Sequence, residues 1–334
     1  ELPATLVGVP GKLLTLVSAV GWVGVQLFFV LSGFLITRQL LATQGATNYY
    51  ASFFGRRVLR IFPVYFGTLL VLTLLWPALG GRSLAAPGDS TLWLWLFLSN
   101  WTEPYGFGTG GLPHFWSLAV EEQFYLVWPF LVRRQTPRSL LWLCAGIALA
   151  SVAWRAMAWA LHWPPMANYT WTPARLDALA LGAAVAAWLA LPRRSALLAP
   201  GSASRWLLAA LVVGALGFLL THGYARLSPV GQIAGYALLA VVFAMMVIAA
   251  ALAAEGPPLA WARALQHPAA TAVGRYSFAM YVFHKPLHDL AGLPLARAWG
   301  LDRAGVPGSL AYTALASLVT FALARLSYRH VERH

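Results

Sequence analysis

The chain has 334 residues, 60% hydrophobic and 10% charged, with a mean hydropathy of +0.67. Soluble domains carry roughly a quarter of their residues as charges, so this composition excludes an ordinary soluble fold and points to one polytopic membrane domain over residues 1–334. A net charge of +13 would suit a nucleic-acid surface, but the arginines stand in short clusters between apolar stretches, which excludes a basic binding face.

Taken in chain order, residue 1 is Glu and no signal peptide is visible. Apolar stretches close to the roughly 17–20 residues that cross a bilayer core lie at 21–38, 61–79, 117–132, 139–161, 175–191, 205–221, 230–253, 274–290 and 309–326. They predict an all-α integral membrane bundle of about nine spans. "TLWLWLFLSNW" (91–101) is too short to span and is expected to be re-entrant or interfacial, with protein covering its backbone. Cys144, the only cysteine, lies in an apolar span and offers neither a disulfide nor a metal site.

The positive-inside rule gives these spans an orientation. With the 38–60 loop cytoplasmic, fifteen basic residues fall on that side: Arg38, Arg56, Arg57, Arg60, Arg133, Arg134, Arg138, Arg193, Arg194, Arg205, Arg263, Arg275, Arg325, Arg329 and Arg333. Seven fall opposite, namely Lys12, Arg82, Arg175, Arg226, Lys285, Arg297 and Arg303, and Arg155 stays inside a span. The C-terminus is then cytoplasmic and residues 1–20 lie outside. An outside N-terminus without a leader implies one missing N-terminal span, about ten in the parent, with no fused soluble domain.

Five constellations stand out. In "GWVGVQLFFVLSGFLIT" (21–37), the glycines and Ser32 suit close helix packing and nothing more. In "FFGRRVLRIFPVY" (53–65), Arg56, Arg57 and Arg60 mark the cytoplasmic entrance of a span; they are either topology signals or a guanidinium clamp for phosphates. "HFWSLAVEEQFYLVWPF" (114–130) places Glu121 and Glu122 in an apolar run, where an ionised carboxylate needs a partner or a wet cavity. As a helix it stacks His114, Ser117, Glu121, Phe124 or Tyr125, and Trp128 on one stripe, with Glu122 about 100° away. The plainer reading makes Ser117 the N-cap, with both acids favouring the helix dipole.

"RLDALALGAAVA" (175–186) opens a span with Arg175 and Asp177, which read either as an exposed helix-end pair or as part of a site. In "YSFAMYVFHKPLHDL" (276–290), His284 and His288 have i, i+4 spacing, but Pro286 breaks a helix between them and no third ligand is near, so no metal centre is expected. The plainer reading of His284 is a hydrogen bond to a neighbouring helix. No serine-hydrolase elbow, Walker-type phosphate loop or zinc-protease motif is present.

These stretches, in this order and with the closing "LSYRHVER" (326–333), resemble the membrane-bound acyltransferase 3 family, which moves acyl groups, most often acetyl, onto sugars and related acceptors. The resemblance covers most of 21–186 and 274–333 and implies about ten helices, an acyl-CoA donor (acetyl-CoA above all) from the cytoplasm, and a hydroxylated sugar or glycan acceptor outside. Carried over, Arg56, Arg57 and Arg60 become candidates for the acyl-CoA phosphates. Glu121, Glu122 and His114 become candidates for proton handling, and Ser117, Arg175, Asp177 and His284 for acceptor binding. Glu121 is expected to face the acceptor cavity and Glu122 to bind a neighbouring helix.

Two departures stand out. Gln26 replaces the Asp common in the family's "GVDLFF" stretch, and the family's first helix, with an Arg and the His usually taken as base, is missing. If that helix is truly absent, an inactive relative is implied. A lipid-linked sugar flippase is the competing class; it predicts inverted repeats and broken helices, and neither is evident. The expected setting is a bacterial inner membrane, with membrane lipids as neighbours and no nucleic-acid partner.

Overall fold

A computed structural model of the chain describes residues 21–81, 91–109, 111–192, 201–256, 259–301 and 305–332. Lys12, Arg82, Arg193, Arg194, Arg303 and Arg333 of the charge tally lie outside the described residues, as does the segment 1–20 where an upstream helix would join. The described residues form helices and short turns, with no strand among them.

In chain order the helices are α1 (Val23–Ala42), α2 (Tyr49–Leu69), α3 (Leu92–Trp95), α4 (Ser99–Thr102), α5 (Trp116–Val132), α6 (Pro137–Ala160) and α7 (Pro165–Thr170). They continue with α8 (Thr172–Leu189), α9 (Ser202–Leu220), α10 (Tyr236–Glu255), α11 (Ala260–Gln266), α12 (Pro268–Leu287), α13 (Leu293–Ala298) and α14 (Gly305–Ser327). π-helical turns extend α2 over Leu70–Leu75, precede α10 at Gly231–Gly235, and follow α12 and α14 at His288–Gly292 and Tyr328–Glu332.

All nine expected spans fall on helices. Six of them are long and apolar enough to cross a membrane: α1, α2 with its extension, α6, α9, α10 with its preceding turn, and α14 with its following turn. The other three are α5, α8 and α12, which hold the acids, Arg175 with Asp177, and His284 with Lys285. The polar residues that lower their apolarity are those that the sequence singled out. The outer surface of the bundle is apolar, with Trp142, Leu149, Leu208 and Leu219 exposed, while Arg155, Arg175, Asp177 and Glu121 are buried. This is an all-α polytopic membrane protein.

Local sequence explains some of the helix boundaries. Thr136 and Ser139 form a reciprocal capping box with Pro137 at the first position of α6, satisfying N–H groups that would otherwise be orphaned. α2 starts at Tyr49, so the three arginines lie within its opening turns rather than ahead of a span, as expected. Tyr49, Phe53, Ile61 and Tyr65 supply its buried face; Arg57 lies on that face, one turn from Phe53 and half-buried, while Arg56 and Arg60 are exposed. α12 runs through Pro286 without breaking and widens only afterwards, into the turn at His288–Gly292. A proline removes only the hydrogen bond to the carbonyl four residues before it, here that of Val282, so the helix can continue past it.

α8 is the centre of the bundle, packed on α1, α6 and α10. Lipid tails are as apolar as leucine, so close van der Waals packing holds membrane helices together. α1 and α8 cross at Gly33 and Gly182: a Cβ on Gly33 would lie 1.9 Å from the Leu179 carbonyl oxygen, and one on Gly182 would lie 1.9 Å from that of Val30.

The stretch 91–101 turns back as α3 and α4, joined at Phe97, whose φ is +54°. Side chains from the spans cover its carbonyls, as a non-helical backbone in the bundle requires. The Tyr65 hydroxyl donates to Leu94 O (2.8 Å), Gln123 Nε2 to Phe97 O (2.7 Å) and Trp171 Nε1 to Trp101 O (3.2 Å). Gln123 also donates to Asn100 Oδ1 at 2.9 Å and accepts from Thr172 at 2.5 Å, tying the loop to the start of α8.

Candidate functional site

α5 carries two clusters, one near each end. At the first, the Tyr125 hydroxyl donates to Glu121 Oε1 (3.0 Å) and is also hydrogen-bonded to Ser32 of α1. The Arg57 guanidinium of α2 lies 5.0 Å from the Tyr125 ring centroid and 5.8 Å from that of Phe53, within cation–π range. Arg57 and Glu122 share the wall of a cavity of about 260 Å³, with Phe62, Phe97 and Tyr125. Arg56 points elsewhere, donating to Ser52 Oγ at 2.7 Å, and Arg60 is exposed. Of the three, Arg57 alone lines this cavity beside Glu122.

The two acids therefore exchange their expected places. Glu121 is 3% exposed and bonded towards α1 through Tyr125 and Ser32, while Glu122 is only half-buried and lines the cavity. The reason is the 100° step of the helix: Glu121 lies above Tyr125, one turn on, and that stripe faces α1. Glu121→Ala leaves the buried Tyr125 and Ser32 hydroxyls without their acceptor, an expected loss of about 1–3 kcal/mol. Glu122→Gln is expected to stay within ~0.5 kcal/mol of the parent. Denaturant unfolding in detergent compares the two; equal losses would remove the assigned division.

The second cluster joins the start of α5 to α12. Ser117 does not cap α5, because Phe115 occupies the cap position and Ser117 sits inside the helix. Its hydroxyl lies 2.6 Å from the Tyr281 hydroxyl, which also donates to His114 O at 2.8 Å. The His114 and His284 rings are 4.8 Å apart in an edge-to-face arrangement, and His284 Nδ1 is 2.6 Å from Tyr281 O. Both His114 ring nitrogens are buried without a partner among the described residues. His114, Ser117 and His284 are thus brought together, by a tyrosine that the sequence reading did not single out. Its place three residues before His284, on the same face, was the available signal.

A cavity of about 670 Å³ opens beside this cluster, between α1, α12 and α14. His284, Tyr281, Ser277, Lys285, His288 and Tyr312 line it on its polar side, and Val25 and Phe28 on its apolar side. Lys285 is paired with Asp289 at 2.6 Å, so its charge is already balanced.

Arg175 and Asp177 go to neither cluster. They are fully buried and do not pair with each other, so an exposed helix-end pair is excluded. Asp177 pairs with Arg155 of α6 at 2.8 Å, and Arg155 also donates to Ala174 O at 2.6 Å. Arg175 lies among aromatic rings, 4.4 Å from the Tyr236 centroid and within 5.7 Å of those of Phe29, Trp116 and Tyr169. Its Nη2 donates to Gln26 Oε1 at 2.5 Å, and Gln26 in turn donates to Tyr236 O at 2.9 Å. Gln26 therefore keeps a hydrogen bond to the guanidinium while supplying no counter-charge. Arg155, an isolated charge in an apolar span, was itself the signal for a buried partner.

A family model described as an acyltransferase domain matches residues 3–329. The chain is 33% identical over 182 residues to the peptidoglycan O-acetyltransferase OatA of Listeria monocytogenes, covering 50% of this chain and 29% of that protein. It is 32% identical over 180 residues to the O-acetyltransferase OatA of Staphylococcus aureus, covering 50% of this chain and 30% of that protein. The matched stretch thus spans less than a third of either relative. No solved structure matches the chain.

Proposed function

The chain belongs to the acyltransferase 3 family, and from that premise we propose that it moves an acyl group, acetyl first of all, from acyl-CoA to a hydroxyl of a glycan. The two O-acetyltransferase relatives, one of them named for peptidoglycan, support a glycan acceptor. The observation that carries the reading is the single stripe Ser117, Glu121, Tyr125 on α5. It connects Arg57 at one end to Tyr281 and His284 at the other.

Eight helical residues separate Ser117 from Tyr125, a rise of about 12 Å. An extended thioester arm can bridge that length, with its phosphates held near Arg57 and its carbonyl delivered towards Ser117. Planar guanidinium suits the phosphate end because it gives paired, charge-assisted hydrogen bonds. The arginine bias between loops supports a cytoplasmic donor side, an outward acceptor side and a cytoplasmic C-terminus, and the bacterial relatives support the plasma membrane of a bacterium as its setting. The acceptor hydroxyl attacks the thioester carbonyl, an ester forms, and CoA leaves as the thiol. Glu121, held by two hydroxyls, orders the stripe, and Glu122 lies beside the donor cavity.

The protein in proteoliposomes, given radiolabelled acetyl-CoA and peptidoglycan fragments, is expected to form a base-labile labelled ester. Label no higher than in protein-free vesicles would refute the reading. Arg57→Ala is expected to weaken acyl-CoA binding on the order of 10-fold or more, the worth of charge-assisted bonds to a phosphate. Unchanged affinity in equilibrium dialysis would move the donor site elsewhere.

A further inference from the structure

We propose that the turn at 103–107 and the tryptophans behind it form a carbohydrate-binding surface, with Tyr105 as its stacking platform and Glu103 as the acceptor of hydrogen bonds from sugar hydroxyls. The inference rests on the glycan-acceptor reading above and adds the surface that holds the glycan. With the orientation that the arginine bias supports, the segment between α2 and α5 faces outward, the side proposed for the acceptor.

Tyr105 ends a single 3-10 turn, Glu103–Tyr105, which Gly106 closes with φ +73°. Beyond that left-handed glycine the chain reverses, and the Tyr105 and Phe107 rings are 58% and 44% exposed. The two rings are 6.4 Å apart and 29° from parallel, so together they offer one broad apolar face. Trp171 backs this face, 6.5 Å from Tyr105 and 5.4 Å from both Trp101 and Trp163. Its indole N–H is fixed on Trp101 O at 3.2 Å. The negative face of an aromatic ring attracts the polarised C–H groups of a sugar ring laid flat on it.

Such rings also anchor proteins among lipid headgroups, and Glu103 favours the sugar over the lipid. Burial pushes its carboxyl up to about 7, and no cation or hydrogen-bond donor among the described residues holds it down. A carboxylate without a partner repels lipid phosphates, whereas a sugar hydroxyl donates a charge-assisted hydrogen bond to it. α7 packs against the turn, and its Tyr169 interacts with both Glu103 and Arg226. Arg226 is exposed, 5.0 Å from the Tyr169 ring centroid, and adds donors for sugar oxygens. The surface is also tied to α5. Asn100 donates to Thr172 Oγ1 at 3.0 Å and accepts at 2.9 Å from Gln123, the residue after Glu122. A glycan held at the turn is therefore held in a fixed relation to the helix that carries the acids.

Calorimetry of the protein in lipid nanodiscs, with soluble peptidoglycan fragments and no acetyl-CoA, tests the surface. Tyr105→Ala is expected to weaken binding about 2–10-fold, the worth of one aromatic stack, and Tyr105→Trp to restore it. Glu103→Gln keeps an acceptor oxygen but loses the charge, and is expected to weaken binding about 3-fold or more. Trp142→Ala, on the exposed face of α6, is the control and should bind as wild type. With radiolabelled acetyl-CoA added, the two weakened variants should raise the glycan KM more than they lower kcat, the mark of lost ground-state binding. Wild-type affinity in either Tyr105→Ala or Glu103→Gln would overturn the surface, as would a wild type that does not bind the fragments. Unchanged affinity with a lowered melting temperature in Tyr105→Ala would make the rings a lipid anchor instead. A wild type that binds the fragments but transfers no label would overturn the acyl-transfer reading and leave the surface standing.

Discussion

Asp177→Ala is expected to destabilise the fold by about 3–5 kcal/mol, because it leaves the Arg155 guanidinium buried without its counter-charge. Both side chains are sealed from solvent, at 0% and 1% exposure, and their contact is 2.8 Å. Arg155 keeps its bond to Ala174 O, so the backbone at the start of α8 remains tethered while the charge goes unbalanced. Replacing both partners by apolar residues, Arg155→Met with Asp177→Leu, is expected to recover most of the loss, since the desolvation of two ions is removed together with their attraction. Denaturant titration of the purified protein in detergent, taken through the full double-mutant cycle, measures the coupling. A coupling energy near zero would show that the pair contributes nothing beyond its two side chains' separate packing.

Gly182→Ala is expected to have an effect of similar size by another route. The added Cβ would sit 1.9 Å from Val30 O, 2.8 Å from Val30 C and 2.9 Å from Phe34 N, all of them backbone atoms of α1. A flexible side chain could swing away, but a helix backbone can only translate, and Gly33 makes the reciprocal contact with Leu179 O. Overpacking costs about 1–3 kcal/mol where side chains adjust and more where backbones must part. Separating α1 from α8 also pulls Gln26 from Arg175 and shifts Ser32, which bonds Tyr125, so activity should fall with stability. Gly146→Ala in α6 is the control, since nothing lies within 4 Å of the new carbon there. It should be neutral or stabilising by roughly 0.5–1 kcal/mol through helix propensity. If Gly182→Ala melts with the Gly146→Ala control, the α1–α8 crossing is looser than its geometry.

How the site assembles separates what a linear pattern can carry from what it cannot. The spacing of Ser117, Glu121 and Tyr125 was legible because four residues make nearly one helical turn. Their neighbours Arg57, Ser32 and Tyr281 come from 68 to 164 residues away in sequence, and no periodicity within α5 points to them. The exchange of places between Glu121 and Glu122 has the same origin: the helix fixes the angle between the acids, but only the position of α1 decides which of them is enclosed. The loop at 91–101 shows the reverse case. Its length alone ruled out a span, and the demand for backbone partners predicted the covering donors, though not that Tyr65, Gln123 and Trp171 would supply them.

By itself the sequence determined the all-α membrane class, the helical segments, the family and the polar residues worth asking about. Those properties follow from local composition and period, which each stretch carries whatever surrounds it. Only the tertiary structure decided that Asp177 belongs to Arg155, that Arg175 rests among aromatic rings, and that Tyr281 gathers His114, Ser117 and His284. A buried polar group must find its partner across the bundle, and its choice depends on the approach and rotation of whole helices, which no single segment encodes.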